Sequence, residues 1–390
     1  MKTNQNRNQV LYCIIEFLHF TIQAATYGFA SLYLLSKGFN NSQIGVFLAT
    51  SSICAIILQQ FVASFIKKTN YSLNRLLIIM HIIMVLLSFV IYILKPQGIV
   101  FLILLTFIFF IEKASQPYIT AIHSGYKEIQ FSIARGIGSL GYSISNFLIG
   151  QLLVKVASDI LPIIYIIPSV LSIICLIIFN APNVQEEKQE VNKQDKINLL
   201  HDYPHFYLFL LGLMLIAVTH NFTELFLLQI IKRIGGTSAN LGTAGAISAL
   251  TELPAMILYK KYYKKLGNRN LLMFAGVMWV LKNIFIAIAP NIYVVYAAET
   301  LQFLSFSIYV PSTERHLAHV IPKSEYLKGQ ALISTSLVIG GLIATLLGGL
   351  LIDALGINTT LYIMQSFAVI GVIFFIISIK KSLKIIPRTK

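Results

Sequence analysis

Gly38-Phe39-Asn40-Asn41-Ser42-Gln43-Ile44-Gly45 lies between two long apolar runs, and 197 residues further on Gly235-Gly236-Thr237-Ser238-Ala239-Asn240-Leu241-Gly242 lies between two more. The chain has 390 residues, so the offset is close to half its length. Glycine with amide and hydroxyl side chains is turn and capping chemistry, here set between segments long enough to be membrane helices. An apolar chain whose second half repeats the plan of its first implies a carrier built from two like halves. In such carriers the solute site is expected between the repeats, near the bilayer midplane.

Composition supports a membrane setting. Hydrophobic residues make up 56% and charged residues 12%, with mean hydropathy +0.76; a soluble domain carries about twice that share of charge. Twelve windows are long enough to span a bilayer as helices: 9–36, 43–66, 76–95, 98–122, 132–156, 160–180, 203–231, 241–259, 270–290, 292–313, 330–354 and 360–379. The fold class expected is therefore all-α, with twelve transmembrane helices in two pseudo-symmetric six-helix halves. Residues 1–182 would form the first half, 183–202 a cytoplasmic linker and 203–390 the second half. Glu186, Glu187, Lys188, Glu190, Lys193, Asp195 and Lys196 give the linker the mixed charge of a solvated loop.

The net charge of +15 would point to nucleic acid in a soluble protein. Its distribution points elsewhere. With both termini cytoplasmic, about 22 of the 30 Lys and Arg fall on the cytoplasmic side, at Lys67 and Lys68, from Lys260 to Arg269, and in the tail from Lys380. The opposite face has Lys37, Lys95, Lys155, Lys232 and Arg233. This asymmetry orients a multi-pass protein of the plasma membrane, with lipid as its partner and no nucleic acid. The first apolar run is too long for a cleavable signal and leads straight into a second span. Cys13, Cys54 and Cys175 form no disulfide framework, and no metal spacing, nucleophile–base pair or phosphate loop is readable. Neither a cofactor nor an enzyme activity is expected. His201, His205, His316 and His319 lie near span ends, where interfacial solvation would account for them.

Away from the span ends, eight charged residues fall inside the spans: Glu16, Glu112, Lys113, Arg135, Glu224, Glu252, Lys282 and Glu299. Each costs about 2.5–3.5 kcal/mol at a helix centre and so needs a partner or a task. Five acids against three bases imply that some of the acids hold a proton for part of a cycle. Helical spacing groups them into polar stripes: Arg135, Ser139, Tyr142 and Asn146 on the fifth span; Glu299, Gln302 and Ser305 on the tenth; Glu16, His19, Gln23 and Tyr27 on the first; His220 with Glu224, and Ser248 with Glu252. Stripes in both halves favour a polar cavity over simple interhelical hydrogen bonding. Gly136, Gly138, Gly141, Gly340, Gly341, Gly348 and Gly349 read as close-packing surfaces. The fragments Phe147–Leu153 and Thr345–Leu351 again repeat at about the same offset.

As topology, nearly the whole chain resembles the major facilitator superfamily, and within it the lactose-permease-like oligosaccharide:proton symporters. The most specific segment is Ala134-Arg135-Gly136-Ile137-Gly138-Ser139-Leu140-Gly141-Tyr142, similar to that group's Arg-x-x-Gly-x-x-Gly-aromatic run. The resemblance implies that Arg135 binds sugar hydroxyls and that Tyr142 stacks on the ring, with Ser139 and Asn146 on the same stripe. It also implies that Glu252 serves sugar affinity and proton coupling, and that Lys282 lies near the coupling carboxylate. Gln302 stands at a histidine position. The chain departs from the group at Ser305, which replaces a proton-releasing acid. It departs again at Pro117, near where a sugar-binding carboxylate would fall, with Glu112 one to two turns away. The loop Phe65–Asn70 lacks the usual Gly and Asp.

The function expected is a proton-coupled importer of a small polar solute, a sugar or oligosaccharide, acting as a monomer. Arg135, Tyr142, Ser139, Asn146, Glu252 and Gln302 would bind solute; Glu299, Glu252, Glu224 and Lys282 would handle the proton. The alternatives are a multidrug or metabolite exporter of the same fold working by proton antiport, a nucleoside symporter, and a non-transporting membrane sensor.

Overall fold

A computed structural model describes residues 2–69, 71–122, 129–179, 203–322 and 325–382. The linker expected at 183–202 and His201 lie outside the described residues, as does most of the basic C-terminal tail.

Twelve membrane helices follow in chain order. α1 runs Lys2–Gln23, passes through a π-helical turn at Ala24–Gly28 and resumes as Ala30–Ser36. Then come α2 (Asn41–Thr69), α3 (Leu73–Leu94), α4 (Gly98–Ile122), α5 (Phe131–Lys155) and α6 (Leu161–Ile178). α7 comprises Pro204–Leu225 and Leu227–Arg233. α8 and α9 are continuous from Ser238 to Ile288 apart from a bend at Gly267 (φ 74°, ψ 155°). α10 is Ile292–Thr300, a 3-10 turn at Leu301–Phe303, and Phe306–Val320. α11 and α12 run from Tyr326 to Ser382, separated at Gly356 (φ 77°, ψ 165°). Among the described residues, nine stretches meet the length and hydropathy of a span, and the last of them, Lys328–Lys381, is divided at Gly356 into two. α8 and α10 complete the twelve; lysines and Glu252 lower the first's hydropathy, and the second is broken mid-way.

The repeated octapeptides fold alike. Gly38 (φ 85°) and Gly235 (φ 78°) take the left-handed conformation that ends a helix cheaply only at glycine. Gly38 N–H donates to Leu35 O and Phe39 N–H to Leu34 O, both at 3.1 Å. In the second half, Gly235 N–H donates to Lys232 O (3.0 Å) and Gly236 N–H to Ile231 O (2.9 Å). Each turn then starts the next helix with a side-chain cap. Asn40 and Gln43 exchange amide bonds at 3.0 and 2.8 Å, and Thr237 N–H donates to Asn240 Oδ1 at 2.8 Å.

The equivalence extends to where helices break. α1 is interrupted at Phe29 (φ −117°, ψ 13°) and α7 at Phe226 (φ −107°, ψ 19°), again 197 residues apart. The spans read as single helices over 9–36, 203–231 and 292–313 are therefore broken. Hydropathy is blind to this, because a break changes backbone angles without changing composition.

Contacts divide the chain into two compact units, Met1–Lys188 with Thr237–Leu250, and Gln189–Gly236 with Thr251–Lys390. The start of α8 thus packs with the first unit. Large apolar side chains such as Phe61, Leu86, Ile99 and Ile177 are exposed, which in a multi-pass protein is the lipid-facing surface. In the second unit, Phe206, Phe209, Trp279, Tyr309 and Phe375 form a buried aromatic core.

Glycines set the helix approach. A Cβ on Gly141 of α5 would lie 2.6 Å from the Phe17 carbonyl of α1, a backbone contact that cannot yield. Gly141→Ala is expected to cost about 1–3 kcal/mol, read as a fall in melting temperature of the purified protein. An unchanged melting temperature would show that α1 and α5 do not pack this closely.

Candidate functional site

In the second unit, α8, α9 and the broken α10 converge on one largely buried charge cluster. Lys282, on α9, places its Nζ 2.7 Å from Glu299 Oε2 of α10, and both side chains are almost fully buried. The same Nζ donates to Gln302 Oε1 at 2.8 Å. Gln302 uses its other end as well, its Nε2 donating to Glu252 Oε1 of α8 at 3.1 Å. Glu299, Lys282, Gln302 and Glu252 therefore form one continuous chain of polar contacts. The 3-10 turn at Leu301–Phe303 places Gln302 where it can reach both α9 and α8, and Ser307 Oγ secures it by donating to Gln302 O at 3.0 Å. Ser305 is buried and its hydroxyl donates to Leu301 O at 2.8 Å.

His220 and Glu224 of α7 border this cluster. His220 Nε2 lies 3.4 Å from Glu224 Oε1, and the glutamate is exposed. The imidazole stacks on Phe306 (4.9 Å edge-on to Trp279, 5.3 Å from Phe306), which fixes its plane beside the charges. Thr223, one turn beyond His220 and adjacent to Glu224, donates to Asn283 Oδ1 at 2.8 Å.

The first unit holds a different arrangement. Arg135 of α5 donates from Nη1 to Ser139 Oγ at 3.0 Å, and its guanidinium carbon sits 4.3 Å from the centre of the Phe20 ring on α1. No carboxylate pairs with it among the described residues. His19 is buried on α1, with Nε2 unbonded among the described residues. Tyr142 lies one turn beyond Ser139 and is half-buried. Asn146 is buried, donates to Tyr142 O at 2.9 Å, and is wedged where Cβ atoms on Gly28 or Gly245 would meet its Oδ1 at 2.8 and 3.1 Å. Its place is a helix contact.

The structure thus brings together Glu252, Gln302, Lys282 and Glu299, and separately Arg135 and Ser139. It does not place Glu224 in the buried chain. Two sequence readings are corrected. His316, expected at an interface, is buried, its ring 4.9 Å from that of Phe209; being near a span's end says nothing of which face a side chain takes. Tyr27, expected in register with Glu16 and His19, lies on the π-turn, which shifts its direction; its hydroxyl donates to Phe109 O of α4 at 3.1 Å. Phe20 as Arg135's partner and His81 within α3 were missed. A count that included histidine would have found His81, a lone polar ring in an apolar run.

The profile of the MFS_1 like family matches residues 10–363. The uncharacterized transporter YwbF of Bacillus subtilis (strain 168) is 21% identical over 255 residues, 64% of this chain and 62% of that protein, so the match spans under two thirds of the relative's length. Among solved structures, the nucleoside transporter NupG superposes with a TM-score of 0.77 at 14% identity, covering 96% of this chain and 99% of NupG. A bacterial homolog of the human lysosomal transporter Spinster superposes with a TM-score of 0.73 at 12% identity, covering 98% of each chain. At these identities the likeness is one of fold. The twelve helices, the matched breaks and a family profile spanning nearly the whole chain lead to one conclusion: this chain belongs to the MFS_1 like family of major facilitator transporters.

Proposed function

We propose that the chain is a proton-coupled symporter that imports a small polar solute, a sugar or oligosaccharide, by alternating access. It would lie in the plasma membrane with both termini cytoplasmic, the orientation its basic residues favour. The observation that carries this reading is the buried chain Glu299–Lys282–Gln302–Glu252. Protonation of Glu299 removes the charge that holds Lys282. The ammonium then has a second acid, Glu252, at the far end of one reorientable amide. A single proton can thereby exchange one buried arrangement for another, which is what coupling to a conformational cycle needs.

Arg135 supports the choice of solute. A planar guanidinium that rests on an aromatic face and meets a hydroxyl, without a carboxylate, keeps donors for vicinal hydroxyls. Tyr142, a turn away, offers a ring for the apolar face of a pyranose. A nucleoside is the second reading, since its ribose presents vicinal hydroxyls and its base suits the same ring.

Ligand-dependent thermal stabilisation tests both readings against sugars, nucleosides and cationic drugs. Stabilisation by a sugar is expected, and Arg135→Ala is expected to weaken it by about 1.5–3 kcal/mol, roughly 10- to 100-fold in affinity. Stabilisation by drugs alone, indifferent to Arg135→Ala, would support an exporter instead.

A further inference from the structure

Glu112 of α4 takes no part in either arrangement above. It is 2% exposed, and both carboxyl oxygens lack a hydrogen-bond partner among the described residues. Three neighbouring donors are committed elsewhere. Ser115 Oγ donates to the main-chain oxygen of Glu112 at 2.7 Å. Tyr27, whose phenol is electrostatically close to Glu112, gives its hydroxyl proton to Phe109 O. Lys113, the adjacent residue and the obvious counter-charge, turns away: its Nζ donates to Ser52 Oγ of α2 at 2.9 Å and lies 5.5 Å from the Tyr27 ring centre. The surroundings are otherwise apolar, with Phe47 and Tyr27 both packed on Phe109, one turn before Glu112. Glu16 is the other acid bordering α4; Tyr12 joins the two helices, its hydroxyl lying 2.8 Å from Glu16 Oε1 and 3.3 Å from Ile119 O. On α3, His81 bonds Leu77 O.

An ionised carboxylate in such a place would be buried with no hydrogen bond to either oxygen and its adjacent cation bonded elsewhere, a state proteins avoid by neutralising the group. We propose that Glu112 is a second proton-carrying carboxyl, seated in the first unit and protonated in this conformation, with Lys113 as the switch that discharges it. Lys113 and Glu112 flank the same phenol. That phenol sits on the π-turn of α1, an irregularity that a helix can take up or lose by one residue's shift. Rewinding the turn moves Tyr27, frees the lysine stem to swing from Ser52 to the carboxyl, and expels the proton.

The inference rests on proton coupling for its transport consequence but not for its chemistry, and the two can be separated. Infrared difference spectroscopy on the purified protein at neutral pH reads the C=O stretch of protonated carboxylic acids directly. A band present in the wild type and absent in Glu112→Gln is expected; a spectrum of protonated acids unchanged by that substitution would overturn the proposal. In proteoliposomes, Glu112→Gln is expected to lower the proton:solute ratio by about one while solute still binds. A wild-type ratio in the variant would refute the switch. If the wild type moves no protons but the band is lost in the variant, the symport reading fails and the protonated acid stands. Lys113→Met serves as the second variant: it should keep the band and slow solute release, and loss of the band would contradict the assigned geometry.

Discussion

Glu299→Gln is expected to abolish uphill accumulation while leaving downhill exchange of solute intact. The amide matches the protonated acid in shape and charge, so the variant is held in the arrangement that protonation of Glu299 favours, with Lys282 released toward Glu252. It cannot release a proton, so the cycle stalls before its deprotonation steps, that of Glu112 included, and loses its link to the pH gradient. Each coupled proton allows about tenfold accumulation of solute per pH unit of gradient, and the variant should accumulate none beyond equilibrium. The measurement is paired: gradient-driven uptake, and exchange of labelled for unlabelled solute in proteoliposomes. Loss of both would mean that Glu299 is structural. Retention of both would place the proton elsewhere.

Lys282→Ala should have the largest effect on stability. It strips Glu299 of the cation paired with it among the described residues and Gln302 of its donor, in a site where both Lys282 and Glu299 are almost wholly buried. Removing one partner of a buried pair typically costs about 3–5 kcal/mol, since the remaining charge is left without solvent or partner. The double variant Lys282→Met with Glu299→Gln removes both charges and should recover most of that loss. Thermal unfolding in detergent reads both. A single variant as stable as wild type, or a double variant no better than the single, would show that the pair is not held as described.

Much of the fold was legible because its determinants are local. The paired octapeptides announce themselves through Gly38 and Gly235, and the same chemistry that makes them visible as sequence makes them fold as matching caps. The charge cluster was legible residue by residue, because an ionisable group inside an apolar run is conspicuous. Its connectivity was not. Helical spacing put Glu299, Gln302 and Ser305 on one stripe, yet a 3-10 turn replaces the helix there and aims Gln302 between two other helices while Ser305 turns back on Leu301. Breaks at Phe29 and Phe226 escaped for a related reason: neither a proline nor a glycine stands at the residue that breaks, so only tertiary packing decides it. Glu112 is the reverse case. Its neighbour Lys113 is adjacent in sequence, but successive side chains on a helix point apart, and each found a different environment.

The central claim is that solute entry carries protons inward. The most direct test is the external pH of a lightly buffered suspension of proteoliposomes, with cytoplasmic faces inward, on addition of a sugar that stabilises the protein. Alkalinisation that tracks uptake and disappears in Glu299→Gln is the predicted result. Uptake of the sugar with no change in external pH, in a preparation shown to be tight to protons, would contradict the account.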